Sequence, residues 1–174
     1  MNTELLGWPF EKPTLELDYR RFSYAGKFVM TNTGKAVVRK DKETRAAAAF
    51  NEDRTDSSTL WIRYITTHVE YRGEGLGTRL LVFVRECARE RGYERVRIAV
   101  NNPFAYEACY RAGFVYTDRE TGLAELVLEA PGDRSTDQYQ QGFDAFRERD
   151  LTDAERAFLD GKQDAKPPTA ESDK

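Results

Sequence analysis

The stretch Arg72-Gly73-Glu74-Gly75-Leu76-Gly77 puts three glycines into six residues and runs straight into an amphipathic segment. A glycine turn that opens a helix is suited to holding an anion. The first amides of a helix lack intrahelical acceptors, and the helix dipole adds partial positive charge there. Glycines let a phosphate approach the backbone with no Cβ in the way. The run is not a P-loop, because no Gly-Lys-Ser/Thr follows. It is not a dinucleotide fingerprint either, since the spacing is GxGxG and antiparallel strands are expected before it. On spacing alone, a structural turn and a ligand cradle carry equal weight.

Other chemistry-bearing residues are sparse. The one histidine, His68, argues against a zinc site or a Ser-His-Asp triad, and Cys87 and Cys109 are too few and too far apart for a disulfide framework or a CxxC metal site. With 27 basic and 30 acidic residues the formal net charge is −3, which makes no global case for nucleic acid or an anionic membrane. No apolar run approaches the roughly 18 residues that span a bilayer. The N-terminus lacks a basic start and apolar core, so no secretory signal is read there. The expectation is a reduced, cytoplasmic protein.

The elements that must position the glycine turn follow from hydrophobic period. Residues 1–13 read as irregular, punctuated by Pro9 and Pro13. Leu15–Phe22, Lys27–Asn32 and Lys35–Lys40 read as strands, the latter two joined by a turn at Asn32-Thr33-Gly34. Thr44–Asp53 carries four alanines, which favour helix on propensity, yet it is short and ends in a turn cluster, so it reads as a strand. Thr59–Val69 is rich in β-branched and aromatic residues and is the clearest strand. Leu76, Leu80, Leu81, Val84, Cys87 and Ala88 then mark a helical face that Gly92 ends. Arg95–Val100 is a strand, and residues 59–100 should form a right-handed crossover between parallel neighbours. Asn102 is placed to cap a helix with Pro103 at its first position, running to Gly113. Two strands follow, Phe114–Thr117 and Leu123–Ala130. Beyond Pro131-Gly132 two short helices are expected, the second with a Thr152–Glu155 capping box, then a tail with nothing apolar to bury. The plan is a domain over 1–132, a helical appendage over 133–161 and a disordered tail over 162–174. Arg85, Arg89, Arg91, Arg95 and Arg97 are interleaved with Glu86, Glu90 and Glu94, so they read as a salt-bridged surface rather than an RNA site.

Thr66 to Leu81, with the glycine run at its centre, resembles the acyl-CoA motif of GNAT-family N-acetyltransferases. Asn101 to Tyr116, with Asn102 opening a helix that ends in Gly113-Phe114, resembles the family's second signature. The resemblance spans about 95 residues, 35–129. It implies a GNAT-like α/β fold: a mixed central sheet with antiparallel N-terminal strands, then β-α-β-α-β-β. It implies acetyl-CoA as co-substrate, with its pyrophosphate on the amides of Arg72, Gly73, Glu74, Gly75, Leu76, Gly77 and Thr78. The pantetheine arm would lie along Ile65, Thr66 and Thr67, the amide of Ile65 polarising the thioester carbonyl. Asn102 matches a cofactor-contacting asparagine, with a plain N-cap as the equal alternative.

The catalytic pattern departs from the family's. The usual acid tyrosine falls on Cys109; Tyr110 is one residue late and Tyr106 one turn early. Either tyrosine could reach the sulfur, Cys109 could protonate it, or no acid is needed, because a thiol near pKa ~8.5 leaves unaided. All three could equally be packing residues. Ala99 and Thr59 stand where family members carry a glutamate base. His68 is a base candidate through water against the alternative of a solvated strand end; Glu70 and Glu107 remain open.

The acceptor is expected to be a small-molecule or peptide amine, with a homodimer an open alternative. Residues 14–58 read as mostly extended, which leaves the acceptor groove open or covered by residues 135–160. The reading is an N-acetyltransferase. The alternatives are a catalytically weak acyl-CoA-binding module and a nucleotide-binding regulatory domain.

Overall fold

The structure, a computed structural model, describes residues 1–171. Among them are seven strands and four α-helices of a mixed α/β fold. The strands are β1 (Asn2–Gly7), β2 (Gly34–Lys40), β3 (Glu43–Glu52), β4 (Thr59–Thr67), β5 (Arg95–Val100), β6 (Val115–Glu120) and β7 (Leu126–Ala130); the helices are α1 (Leu76–Glu90), α2 (Pro103–Arg111), α3 (Thr136–Arg147) and α4 (Asp153–Asp160). The chain divides into two compact units, Met1–Val96 and the residues from Arg97 onward. No described helix is long and apolar enough to cross a membrane.

In the first unit β1 to β4 pair antiparallel in sequence order. Asp41 and Lys42 turn β2 into β3, both with positive φ (52° and 68°), the geometry that matches the twist of a tight hairpin. Ala46, Ala47, Ala48, Ala49 and Phe50 of β3 are all fully buried. That run lost its period-2 signal because both faces are covered. Ala47 and Ala49 pack with Leu15, Phe28 and Val37, which leaves Ala46, Ala48 and Phe50 on the opposite face, where α1 packs on β2, β3 and β4. Helix α1 buries Leu76, Leu80, Leu81, Val84 and Ala88 as expected, whereas Cys87 is only half-buried.

Three expectations for the first unit are corrected. Residues 2–7 are a strand rather than irregular, with Asn2 to Leu5 registered against Arg39 to Ala36. Leu15–Phe22 and Lys27–Asn32 are not strands: residues 13–33 form a long loop with a 3-10 turn at Ala25–Val29. The alternation at Leu15 and Leu17 was real, since both pack on the sheet. However, the Asp18 carbonyl accepts from the amides of Arg21 and Phe22, and Tyr24 takes a positive φ of 62°. The chain therefore curls back before a ladder can form.

In the second unit β6 and β7 are an antiparallel pair, and α3 packs on β6, α2 and α4. Tyr106, Tyr110, Tyr139, Phe143 and Phe146 are at most 1% exposed and form an aromatic cluster, and Phe114 is fully buried in the same unit. A Cβ on Gly142 would lie 2.0 Å from Tyr106 Oη, so glycine is what lets α3 approach α2. Residues 133–161, expected as an appendage, thus supply half of this core. In the segment expected to be disordered, Arg134 donates to the Pro168 carbonyl at 2.7 Å and the Glu171 amide donates to the Arg111 carbonyl at 2.7 Å. Its last residues, 172–174, lie outside the described residues.

Candidate active site

Gly75 caps α1 with φ +80°, and Gly73 precedes it with φ +83°. Both values lie in the region that an L side chain enters only with strain. At neither glycine would an added Cβ meet any atom within 4 Å, and at Gly77 the nearest is Thr67 Oγ1 at 4.0 Å. The turn is therefore not glycine-rich because neighbours crowd it. It is open, it exposes Arg72 to Gly75, and no side chain caps the helix. The first intrahelical bond is Arg79 N–H to the Gly75 carbonyl at 3.0 Å, so the amides of Leu76 and Gly77 stand before the ladder begins. This is a backbone cradle at the positive end of a 15-residue helix.

β4 leads into that cradle. Ile65, Thr66 and Thr67 pair with Ala48, Ala47 and Ala46 of β3. The register shifts between Tyr64 and Ile62, which leaves Arg63 as the extra residue of a bulge on β4. Thr66 Oγ1 is buried with no hydrogen-bond partner. Arg72 reaches back to donate to Ser23 Oγ at 3.4 Å.

His68 is not a solvated strand end, as the sequence led us to expect. It is 8% exposed, with Phe22 edge-on at 5.2 Å and Tyr71 at 4.9 Å. Its Nδ1 accepts from the Glu70 amide at 3.1 Å, which occupies one of the two ring nitrogens. Glu70 pairs with Arg21 at 3.0 Å.

The acid candidates of α2 are withdrawn from solvent. Tyr106 donates to the Tyr139 carbonyl at 2.9 Å, and Tyr110 Oη accepts from the Tyr116 amide at 3.0 Å. Burial pushes the pKa of Tyr106, Cys109 and Tyr110 upward, which makes each a weaker acid. Among the competing roles for these three, packing is the one this geometry favours. Glu107 is also sealed: Tyr139 Oη and Lys162 Nζ donate to its two oxygens, the latter at 2.9 Å. Asn102 spends its side-chain oxygen on the Ala105 amide at 2.8 Å as an N-cap. Of the arginine cluster, Arg89 pairs with Glu86 and Arg95 with Glu94, two of the interleaved glutamates, whereas Arg95 also reaches Asp56, Arg97 pairs with Glu129 and Arg91 lies over the Trp8 ring.

The sequence profile of the acetyltransferase (GNAT) family matches residues 2–114, well over half of the 174 residues. The chain belongs to the GNAT family. No curated protein sequence matches it significantly. Among solved structures, a Bacillus subtilis acetyltransferase in complex with CoA superposes with TM-score 0.57 at 14% identity, over 75% of this chain and 98% of that one. A Salmonella typhimurium protein solved with its cofactor acetyl-CoA gives 0.51 at 18% identity, over 58% and 65% of the two chains. An N-acetyltransferase from Staphylococcus aureus gives 0.51 at 16%, over 57% and 67%. The match thus spans about two thirds of the length of the last two. At such identities these structures establish the GNAT fold.

One feature of this GNAT chain was misread from sequence: the residues 13–33 loop, read there as two strands, packs Phe22 and Tyr24 against His68 and Tyr64. Its only local signal was Lys35, a lone charge between Gly34 and the apolar run Ala36-Val37-Val38.

Proposed function

We propose that the chain is an acetyl-CoA-dependent N-acetyltransferase acting on a primary amine. The observation that carries this is the pair Gly73 and Gly75, whose positive φ and empty surroundings leave the Arg72 to Gly75 turn exposed at the start of α1, where a pyrophosphate would bind. The open turn and the uncapped helix start fit that group. Ile65, Thr66 and Thr67 then fall where the pantetheine arm would run, with the Ile65 amide as the dipole for the thioester carbonyl. Acetyl-CoA supplies the activated acetyl group. The amine nitrogen attacks the carbonyl carbon, the C–S bond breaks, the CoA thiolate departs and the amine proton passes to solvent. A leaving thiol of pKa ~8.5 needs no acid, and an α-amine of pKa about 8 is partly neutral without a base. Positioning is then the protein's main contribution.

The burial of Tyr106, Cys109 and Tyr110 favours one second reading, a catalytically weak acyl-CoA-binding module. Calorimetric titration with acetyl-CoA, CoA, ATP and NAD, on wild type and Gly75→Trp, tests the cradle. Acetyl-CoA and CoA should bind wild type, and the variant should lose at least about 1–2 kcal/mol of affinity through strain and occlusion. Folded wild type that binds neither would sink the proposal. Binding with no turnover of any amine would favour the second reading.

A further inference from the structure

A second cleft opens at the other end of α1 from the glycine turn. Trp8, Glu52, Ser57, Arg91, Gly92 and Tyr93 line it, around a volume of about 460 Å³. All six residues belong to the first unit. The 15 residues of α1 separate the cleft from the turn, roughly 22 Å at a helical rise of about 1.5 Å per residue. The volume suits a small ligand, since such pockets run from about 300 to 1,000 Å³.

The floor of the cleft is fixed from beneath. Trp8 is 6% exposed, and its ring lies 4.8 Å from that of the fully buried Phe50 and 6.0 Å from that of Tyr93. Arg91, the residue that closes α1, lays its guanidinium over the indole, 4.2 Å from the ring centroid. Stacking on a π face leaves the N–H donors at the edge of the guanidinium free. Tyr93 Oη donates to one oxygen of Glu52 at 3.1 Å. The turn that carries Ser57 is pinned as well, because the Glu94 and Arg95 amides donate to the Ser58 carbonyl at 2.8 Å and 3.3 Å.

The two charges of this cleft do not meet. Among the described residues neither Arg91 nor Glu52 forms an ion pair, although both line the same space. Each is held in place by an aromatic residue instead, Arg91 by the Trp8 indole and Glu52 by the Tyr93 hydroxyl. The second oxygen of Glu52 and the hydroxyl of Ser57 are left without a partner among the described residues. A lone anion or a lone cation entering here would meet one attracting and one repelling group. A zwitterion satisfies both. Its carboxylate can take two parallel N–H bonds from the guanidinium, and its ammonium can donate to the free oxygen of Glu52. Gly92 follows the last turn of α1, so the negative end of the helix dipole lies in the wall and also favours an ammonium. The groups are already seated before any ligand arrives, which lowers the ordering cost of binding.

We propose that this cleft binds a free α-amino acid, its carboxylate held by Arg91 and Ser57 and its ammonium by Glu52, as a second ligand site separate from the glycine turn. The proposal stands on this geometry alone and does not depend on the acetyltransferase reading.

The test follows the Trp8 indole N–H and the Gly92 amide by nuclear magnetic resonance in the full-length protein. The probes are glycine, alanine, glutamine, arginine and phenylalanine, with acetate and methylammonium as single-charge controls. At least one amino acid should shift both resonances saturably, with a Kd below ~10 mM. Acetate and methylammonium should bind at least about tenfold more weakly, because each makes only half of the charged contacts. Arg91→Gln and Glu52→Gln should each weaken the amino acid by about tenfold or more. Both side chains belong to exposed residues, and unchanged α1 resonances would show that the variants are folded. Should either fail to fold, Ser57→Ala replaces it, with a loss of about threefold or more expected. No saturable shift with any of the five amino acids overturns the site. Acetate binding as tightly as the amino acid overturns the zwitterion. Shifts confined to residues 65–78, or affinity unchanged in a folded variant, would place the ligand elsewhere and overturn the assignment to this cleft.

Discussion

The hydroxyl of Thr66 sits buried on β4 with no partner, while Thr67 beside it faces Gly77 of the glycine turn. An unsatisfied buried hydroxyl costs roughly 1–3 kcal/mol, so stability alone would favour valine at this position. We expect Thr66→Val to raise stability by about 1 kcal/mol in thermal or denaturant unfolding while lowering acetyl transfer. Opposed signs would mark a hydroxyl kept for a ligand. A variant unchanged in both readouts would mean that the hydroxyl is merely tolerated. Tyr106 and Tyr110 present the reverse case. Each hydroxyl makes a hydrogen bond within the second unit, and both rings pack in its aromatic core.

Two carboxylates hold the connection from β3 to β4: Asp53 accepts from the Thr55 amide at 2.9 Å and from Trp61 Nε1 at 2.6 Å, and Asp56 gathers the larger set. Asp56 accepts from the Ser58 amide at 3.0 Å, from Ser58 Oγ at 2.5 Å, from Thr59 Oγ1 at 2.8 Å and from Arg95 Nη1 at 3.0 Å. The Ser58 and Thr59 side-chain bonds lead in lowering its pKa from 3.8 to about 2. Because the folded value is depressed, the stability it contributes is fully present above the unfolded value of 3.8. It is lost as pH falls through about 2. Thermal unfolding of wild type and Asp56→Asn should therefore differ near neutral pH, with the gap narrowing below pH ~4 and largely closed near pH ~2. A gap that persists at pH ~2 would mean that the turn is held by something other than this carboxylate. The same element-level view explains what could be read from sequence. β4, α1, β5, α2 and the capping box of α4 were legible because their signals are local: β-branched runs, a 3.6-residue period, Asn102-Pro103, Thr152 with Glu155. Residues 13–33 were not, because alternation at Leu15 and Leu17 reports a buried face, not a ladder. The ends of this segment meet at Lys35, further along the chain, whose Nζ donates to the Pro13, Met30 and Thr33 carbonyls. The glycine turn was legible for the same local reason. The burial of His68 was not, because it depends on Phe22, 46 positions earlier in the sequence numbering.

At the scale of the whole chain, the family match and the folded core end in different places. The profile stops at Phe114, yet within the second unit the side chains that bury α2 continue to Leu159. Tyr139, Phe143, Phe146 and Leu159 are each at most 1% exposed, and burial of such side chains contributes about 1.5–3 kcal/mol apiece. Their sum is comparable with the roughly 5–15 kcal/mol net stability of a typical domain. Lys162 and Tyr139 also neutralise and hydrogen-bond the buried Glu107, and removing both would leave its carboxylate only the longer pair with Arg111, at 3.7 Å. Truncation after Gly132 should therefore abolish ordered packing of the second unit, seen as loss of near-ultraviolet circular dichroism and gain of hydrophobic dye binding. Tyr139→Phe, which removes only the hydroxyl, should cost about 1–3 kcal/mol and leave the protein folded. A truncated chain with native circular dichroism and an unchanged melting temperature would show these helices to be an appendage after all. The expected result instead makes residues 133–162 part of what lets this GNAT chain fold, and it explains why its α2 carries tyrosines on a face that must meet α3.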